Sequence, residues 1–503
     1  MQTMSGFRSA VILTAVNLFS QGARFLFQVL LSRSVSPEAL GLYQLVMSVM
    51  PVLMSLTAVG FVSACSQLTA RYRATGNHKA AKQALRLCLA GFFLAFSLAA
   101  LISLPLREWI AGALLGEPRV SPALALLLPL VLLTGVENLH KNFFYGAGAV
   151  VEPALTEVGE QIIRTGAVLG LLWYCLPETP AGAVTLILWG MILCEVFSAC
   201  TLTLLFHRAV GPYPPGAGIG RKTLSARIAA IAFPVGLNAL LGNLMGAWTS
   251  ALIPRALVRA GADQAQALSA FGILRGMTLP LLSLPTAVIG ALCLVLLPKM
   301  AQAHALGRHD LCRSRLNKAL TATALWVMPT SALTAVTAPV LGDLLFHQSA
   351  AGDGAIPFAL AVALSCFESV LTVSLNALGR QARVAWHSLL CGCVQLALTW
   401  SLMALGGGLG GYALAMILSS LLGLWLDARV LRQVIGMKAR WFDWLVAPGL
   451  AALLSALCAN LLLPLLASLG ELGACGGTLA FGLVVYLAAL AAMGVFPRKS
   501  VLT

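Results

Sequence analysis

Charge is scarce in this chain: only 10% of its 503 residues are Asp, Glu, Lys or Arg, and just 17 are acidic. Soluble proteins carry about a quarter charged residues, so a surface wetted on every side is excluded. No polar stretch is long enough to bury a core of its own, which excludes a soluble domain between the apolar runs. H-E-x-x-H, G-x-S-x-G and P-loop patterns are missing, and no two of the 12 cysteines stand as C-x-x-C. The signatures of zinc proteases, serine hydrolases, nucleotide binders and thiol redox proteins are therefore absent. The first outer loop is only Arg33 to Leu40 and the outer loops hold few acids, too little for a membrane glycosyltransferase or polymerase. The chain is expected not to be an enzyme and to carry no cofactor or metal.

Apolar residues make up 59% of the chain, and mean hydropathy is +0.91. Apolar stretches of about 20 residues recur from end to end, each long enough to cross a bilayer as a helix. We count about fourteen, which predicts an all-α polytopic membrane protein. The net charge of +15 does not imply nucleic acid, because of where the cations fall. With an inside N-terminus, 24 of the 32 Lys and Arg lie on inner segments, among them Arg71, Lys79, Arg221, Arg308 and Arg432. Five, Arg33, Arg107, Arg119, Arg255 and Arg259, lie on outer ones. This positive-inside bias predicts a multi-pass protein of the bacterial plasma membrane with both termini cytoplasmic. The cysteines, such as Cys88, Cys194, Cys293 and Cys366, fall inside apolar segments and read as small packing residues. The first segment is too long, and too polar on one face, for a cleaved signal.

The two halves resemble each other. MPVLMSLTAV around Pro51 parallels LPLLSLPTAV around Pro280, and ATGNHKAAKQAL from Ala74 parallels ALGRHDLCRSRL from Ala305. Gly76 thus aligns with Gly307 and His78 with His309. Six helices separate the copies, which makes them parallel repeats of the kind that place a binding site between two lobes. The expected lobes are residues 1–210 (helices one to six) and 224–440 (helices seven to twelve), joined by a cytoplasmic linker at 211–223. Helices thirteen and fourteen, 441–503, lie outside the repeat. Pro280 and Pro285 predict a kink in helix eight.

Polar stripes run through several of these segments. In the first, Asn17, Gln21, Arg24 and Gln28 recur at i, i+4, i+7 and i+11 and share one narrow face. Such a stripe is costly in hydrocarbon and marks a surface facing protein or water. Helix five carries Glu157, Glu160, Gln161 and Arg164; helix four carries Glu137, His140 and Lys141; helix ten carries Ser365, Glu368, Ser369, Thr372 and Asn376. Glu195, Asn238 and Arg275 add one polar group each to helices six, seven and eight. Glu160 with Arg164, and Glu137 with Lys141, either neutralise one another or serve a substrate. The helix ten hydroxyls line the cavity or bond neighbouring helices. Arg24 and Arg275 offer forked donors suited to a phosphate or diphosphate. Alternatively, Glu160, Glu195 or Glu368 balances Arg24. The central-cavity candidates are Arg24, Arg275, Asn17, Gln21, Gln28, Glu160, Arg164, Glu195, Asn238, Glu368 and Asn376.

LSRSVSPEALGLYQ from Leu31, FFYGAG at Phe143, VGEQIIR at Val158, FPVGLNALLGNL at Phe233 and FGILRGMTLPLLSLPTAV at Phe271 carry a resemblance. The chain resembles the oligosaccharide flippases of the multidrug/oligosaccharidyl-lipid/polysaccharide superfamily, most closely the stage V sporulation protein B-like branch. The resemblance covers nearly the whole chain. It implies a two-lobe transporter that moves a polyprenyl-diphosphate-linked sugar, such as lipid II, outward by alternating access. It also implies that basic residues of helices one and eight face the substrate, a role carried over more closely to Arg24 than to Arg275. The expected partners are the lipid-linked sugar and the bilayer, with the protein acting as a monomer. Sodium, a proton or the membrane potential is the expected coupling force. The alternative is a cation-coupled multidrug exporter of the MATE type, and a third reading is a non-transporting scaffold.

Overall fold

The computed structural model describes residues 6–209, 218–437, 440–466, 468 and 470–494. Residue 210, residues 211–217 of the expected linker, Lys438, Arg498 and Lys499 lie outside the described residues, as do the side chains of Arg8 and Asn17. Within the described residues the chain is helical, with no strand. The first unit holds α1 (Gly6–Ser34), α2 (Pro37–Thr57), α3 (Val59–Ala74), α4 (His78–Ser103), α5 (Ser121–Gly146), α6 (Val151–Cys175) and α7 (Pro180–Ala209). Then follow α8 (Arg221–Arg259), α9 (Gln264–Leu282), α10 (Leu284–Ala305), α11 (His309–Phe346), α12 (Ala355–Ala377), α13 (Gln381–Leu402), α14 (Gly408–Ile435), α15 (Ala447–Leu465) and α16 (Gly470–Ala492).

Among the described residues twelve spans are long and apolar enough to cross a membrane; adding α1 and α6, counting α13 and α14 apart, and taking α9–α10, like α2–α3, as one broken helix gives about fourteen. α2 and α3 are interrupted at Ala58, and both pieces pack on α4. α9 and α10 are interrupted at Ser283, and both pieces pack on α11. The second break falls between Pro280 and Pro285, where the prolines remove ladder donors, as expected for helix eight. α13 and α14 are separate crossings. Gly406 (φ +90°) and Gly408 (φ +50°) turn the chain back, and the His387–Asp427 and Gln395–Ser419 hydrogen bonds show the two helices running antiparallel. Helices α1 and α6 are long enough to cross but carry the polar stripes, which lower their hydropathy.

The repeat reappears as backbone geometry. Gly76 (φ +71°) and Gly307 (φ +67°) end the broken helices in the left-handed conformation that favours glycine. In the first, Gly76 N–H bonds Arg73 O (3.0 Å) and Asn77 N–H bonds Tyr72 O (2.8 Å). In the second, Gly307 N–H bonds His304 O (2.9 Å) and Arg308 N–H bonds Ala303 O (3.0 Å). Gly148 follows Gly76 by 72 residues, and Gly379 follows Gly307 by the same 72. Both again end a helix with left-handed φ, +74° and +72°, and the same hydrogen-bond pattern.

By packing, the chain divides into Met1–Arg255 with Leu268–Gly272, and Ala256–Ala267 with Ile273–Thr503. Most of α8 belongs to the first unit because Asn243 Nδ2 donates to Ser55 Oγ (2.6 Å) and Pro51 O (3.2 Å), while Arg227 reaches Tyr72 Oη (3.1 Å). Packing and repetition are different properties, and the lobe boundaries at 211–223 and 440–441 remain a sequence-based expectation. The first unit's core gathers Phe92, Leu139, Phe143, Phe144 and Phe206 between α4, α5 and α7. The second unit's core lies among α10, α11, α12 and α14, around Met300, Leu316, Val370, Leu375 and Leu431.

Candidate functional site

In the first unit, α7 packs on both α5 and α6, bringing three polar stripes together. Lys141 Nζ lies 3.2 Å from Glu157 and 3.6 Å from Glu137, one turn earlier on its own helix. Arg164 pairs with Glu160, also one turn earlier, and reaches Glu195 of α7 at 3.4 Å. Glu137, Glu157, Glu160 and Glu195 are all buried. The spacing of i, i+4 predicts the two intrahelical pairs, while the bridges from α5 to α6 and from α6 to α7 come from packing. Cys194 donates its thiol to the Glu160 carbonyl (3.2 Å), and Tyr43 of α2 lies close enough to feel the Arg164 charge. His140 turns away: its Nδ1 bonds Val136 O at 2.8 Å and its ring stands edge-on to Phe206. It is a core residue.

Arg24 sits ten residues before the end of α1, roughly 15 Å at 1.5 Å rise per residue, which is beyond the reach of snorkelling. Ser20, Phe27 and Leu31 form the packed face of the helix; Gln21 and Arg24 stand one position round from it and are exposed, and Gln28 is half-buried. Arg24 has no ion-pair or hydrogen-bond partner among the described residues of its unit. Glu160 and Glu195 are held by Arg164, so the expectation that either of them balances Arg24 is corrected. Asn238 is exposed on α8. The same unit carries an apolar groove of about 640 Å³ lined by Phe61, Gly91, Ala232, Phe233 and Gly236.

In the second unit, Arg275 occupies a widened helical turn, Leu274–Thr278, half-buried and near the Tyr412 phenol. Glu368 of α12 is half-buried against Gly423 of α14, beside Ser420. Asn376 closes α12, its carbonyl accepting from Gly379 N–H (3.1 Å). Most helix ten hydroxyls bond their own helix: Ser365 to Val362 O and Ser369 to Ser365 O, both 2.8 Å. Thr372 instead donates across to Asp427 Oδ2 (2.8 Å), and His387 Nδ1 meets Asp427 Oδ1 at 2.7 Å. Sequence reasoning passed over Asp427 and His387. The repeat held the signal: Glu137 and Glu368 each stand eleven residues before the equivalent glycines Gly148 and Gly379. In each unit the last repeated helix then supplies a second buried acid, Glu195 or Asp427.

Among the described residues the arrangement is one of ion pairs and hydrogen bonds between buried acids and bases. All twelve cysteines are free, and among the described residues no cluster of His, Cys, Asp or Glu suits a metal ion. What it offers is fixed charge at membrane depth.

The family model described as polysaccharide biosynthesis protein matches residues 7–304. Stage V sporulation protein B of Bacillus subtilis (strain 168) is 22% identical over 447 residues, covering 86% of this chain and 85% of that protein. Among solved structures, lipid II flippase MurJ in an inward closed conformation matches with a TM-score of 0.72 at 13% identity, over 96% of this chain and 98% of that one. An inward-facing MATE family multidrug resistance transporter matches with a TM-score of 0.64 at 13% identity, over 86% and 100%. At these identities the solved structures establish the fold.

Proposed function

The chain belongs to the polysaccharide biosynthesis protein family of the multidrug/oligosaccharidyl-lipid/polysaccharide superfamily, and from that premise we propose that it flips a polyprenyl-diphosphate-linked oligosaccharide. The cargo moves from the inner to the outer leaflet by alternating access, and a lipid II-like wall or polysaccharide precursor is the substrate. The observation that carries this reading is Arg24. A guanidinium in mid-helix, exposed and without a partner in its unit, is costly unless an anion or water meets it. A diphosphate matches its forked donors. Each buried acid of the first unit lies within ion-pair distance of Lys141 or Arg164 and none pairs with Arg24, which leaves the Arg24 charge available. Gln21 and Gln28 on the same stripe suit sugar hydroxyls.

This reading makes the protein a non-enzymatic, monomeric transporter of the plasma membrane with both termini cytoplasmic. Its test is reconstitution into proteoliposomes with labelled lipid II and, separately, one other polyprenyl-linked glycan. Wild type is expected to move at least one of them between leaflets, and Arg24→Ala to abolish the movement while still inserting. Wild-type-like flipping by Arg24→Ala would remove Arg24 from the mechanism. A second reading, export of cationic compounds, is favoured by the excess of acids in the first unit's buried network. A drug-susceptibility panel in cells with and without the gene separates the two.

A further inference from the structure

The buried network of the first unit has more acids than bases. Four carboxylates, Glu137, Glu157, Glu160 and Glu195, share two cations, Lys141 and Arg164. The distances assign the pairs. Lys141 is nearer Glu157 (3.2 Å) than Glu137 (3.6 Å), and Arg164 is nearer Glu160 than Glu195 (3.4 Å). Glu137 and Glu195 are thus the surplus acids, and they face each other across α5 and α7 within hydrogen-bonding reach. Their exposures are 3% and 4%, and Glu195 Oε2 is fully buried with no hydrogen-bond partner. The Thr134 hydroxyl, one turn before Glu137, is buried and lies beside Glu195.

Two ionised carboxylates in contact, away from water, repel each other and leave an orphan acceptor. A buried group in that position neutralises by taking a proton. A proton between the two carboxyls removes one negative charge and supplies the donor that an oxygen-to-oxygen contact requires. The other titratable or charged groups facing the pair are Lys141 and Tyr145 from α5, Glu157, Glu160 and Arg164 from α6, Cys194 from α7 and Tyr43 from α2. Lys141 and Arg164 are already matched by Glu157 and Glu160.

We propose that Glu137 and Glu195 form a proton-binding site, holding one proton between them, and that this proton is the coupling ion of the transporter. Binding rests on the geometry of the pair; coupling rests on the flippase reading above. Losing the proton exposes the surplus charge to the Lys141 and Arg164 pairs and loosens the α5–α7 contact, which gives the helices two states distinguished by protonation.

The site is tested by infrared spectroscopy of the purified full-length protein in lipid vesicles. Wild type is expected to show a protonated-carboxyl band at neutral pH that shifts in deuterium oxide. Glu137→Gln and Glu195→Gln are each expected to lose that band while eluting as a single species. Absence of the band from wild type, or its retention in both variants, overturns the proposal. Its removal by sodium would overturn it in favour of a metal-ion site. Coupling is tested with fluorescent lipid II in the same vesicles under an imposed gradient of one pH unit. One coupled proton changes the wild-type leaflet ratio by about tenfold, a dependence the two variants are expected to lose. A wild-type ratio indifferent to the gradient would overturn the coupling. Movement of neither lipid II nor the second polyprenyl-linked glycan, with the band intact, would sink the transport reading and uphold the proton site.

Discussion

Arg164 on α6 reaches 3.4 Å across to Glu195 on α7 while holding Glu160 one turn back on its own helix. One cation thereby ties two helices at a depth where water is scarce. Removing it strands two buried carboxylates, and breaking a buried pair costs about 3–5 kcal/mol. Arg164→Met is expected to lower the thermal unfolding temperature of the detergent-purified protein by several degrees. Adding Glu160→Gln should restore part of the loss, because the stranded charge goes with it. Strict additivity of the two substitutions would show that they do not interact.

Arg24 should behave in the opposite way. It is exposed and makes no ion pair in its unit, so Arg24→Ala should alter stability by no more than about 0.5 kcal/mol. Its effect belongs to transport. Arg24→Lys keeps the charge but loses the fork, and is expected to retain a small fraction of the wild-type flipping rate, where Arg24→Ala retains none. Equal rates in the two variants would mean that the forked geometry is irrelevant.

Gly60 on α3 lies against the backbone of α8, and a methyl group built on it overlaps the Ala232 carbonyl. Small residues permit such close approach of helices in membranes. Because the obstacle is backbone, no side chain can rotate away. Gly60→Ala is expected to destabilise the first unit by about 1–3 kcal/mol through overpacking, read as a lower unfolding temperature. Gly242→Ala on α8 has open space around it and should leave the temperature unchanged.

Asp427 depends on His387 and Thr372. His387→Ala leaves a buried carboxylate with a single hydroxyl donor, so the second unit should lose stability by about 1–3 kcal/mol. His387→Gln keeps a donor near Oδ1 and should lose less. The comparison is read by thermal unfolding, and equal losses would mean that the ring's packing, not its N–H, is what matters.

Much of this was written in the sequence because helices in a membrane leave few choices. Apolar length gave the crossings, Pro280 and Pro285 the break near Ser283, and i, i+4 spacing the Glu160–Arg164 and Glu137–Lys141 pairs. What spacing along one helix cannot contain is the rotation of its neighbour. The Lys141–Glu157 and Arg164–Glu195 bridges depend on how α6 and α7 settle, so Arg164 was legible as a charge but not as a clamp. Asp427 was hidden by its place just before Arg429 and Arg432, in a stretch that reads as the basic end of a segment. His387 was a lone polar residue on α13 until α14 folded back beside it. The same limit explains His140, whose sequence neighbours are charged but whose spatial neighbour is Phe206.

Orientation is the last expectation open to direct test. The positive-inside bias places the Gly307 turn, with Arg308 and Arg313 beside it, in the cytoplasm. Asp310, at the start of α11, is exposed with its side chain in solvent, so a cysteine there is reachable without disturbing the core. Glu108, in the short segment between α4 and α5, lies on the predicted outer side. Of the native thiols, Cys175, Cys200 and Cys393 are exposed and must first be replaced by serine or alanine. Asp310→Cys should then react with a membrane-impermeant maleimide only in inside-out vesicles, and Glu108→Cys only in intact cells. The reverse pattern would place both termini outside. It would also turn the proposed direction of transport round, because the lipid-linked sugar would then have to meet the other end of α1.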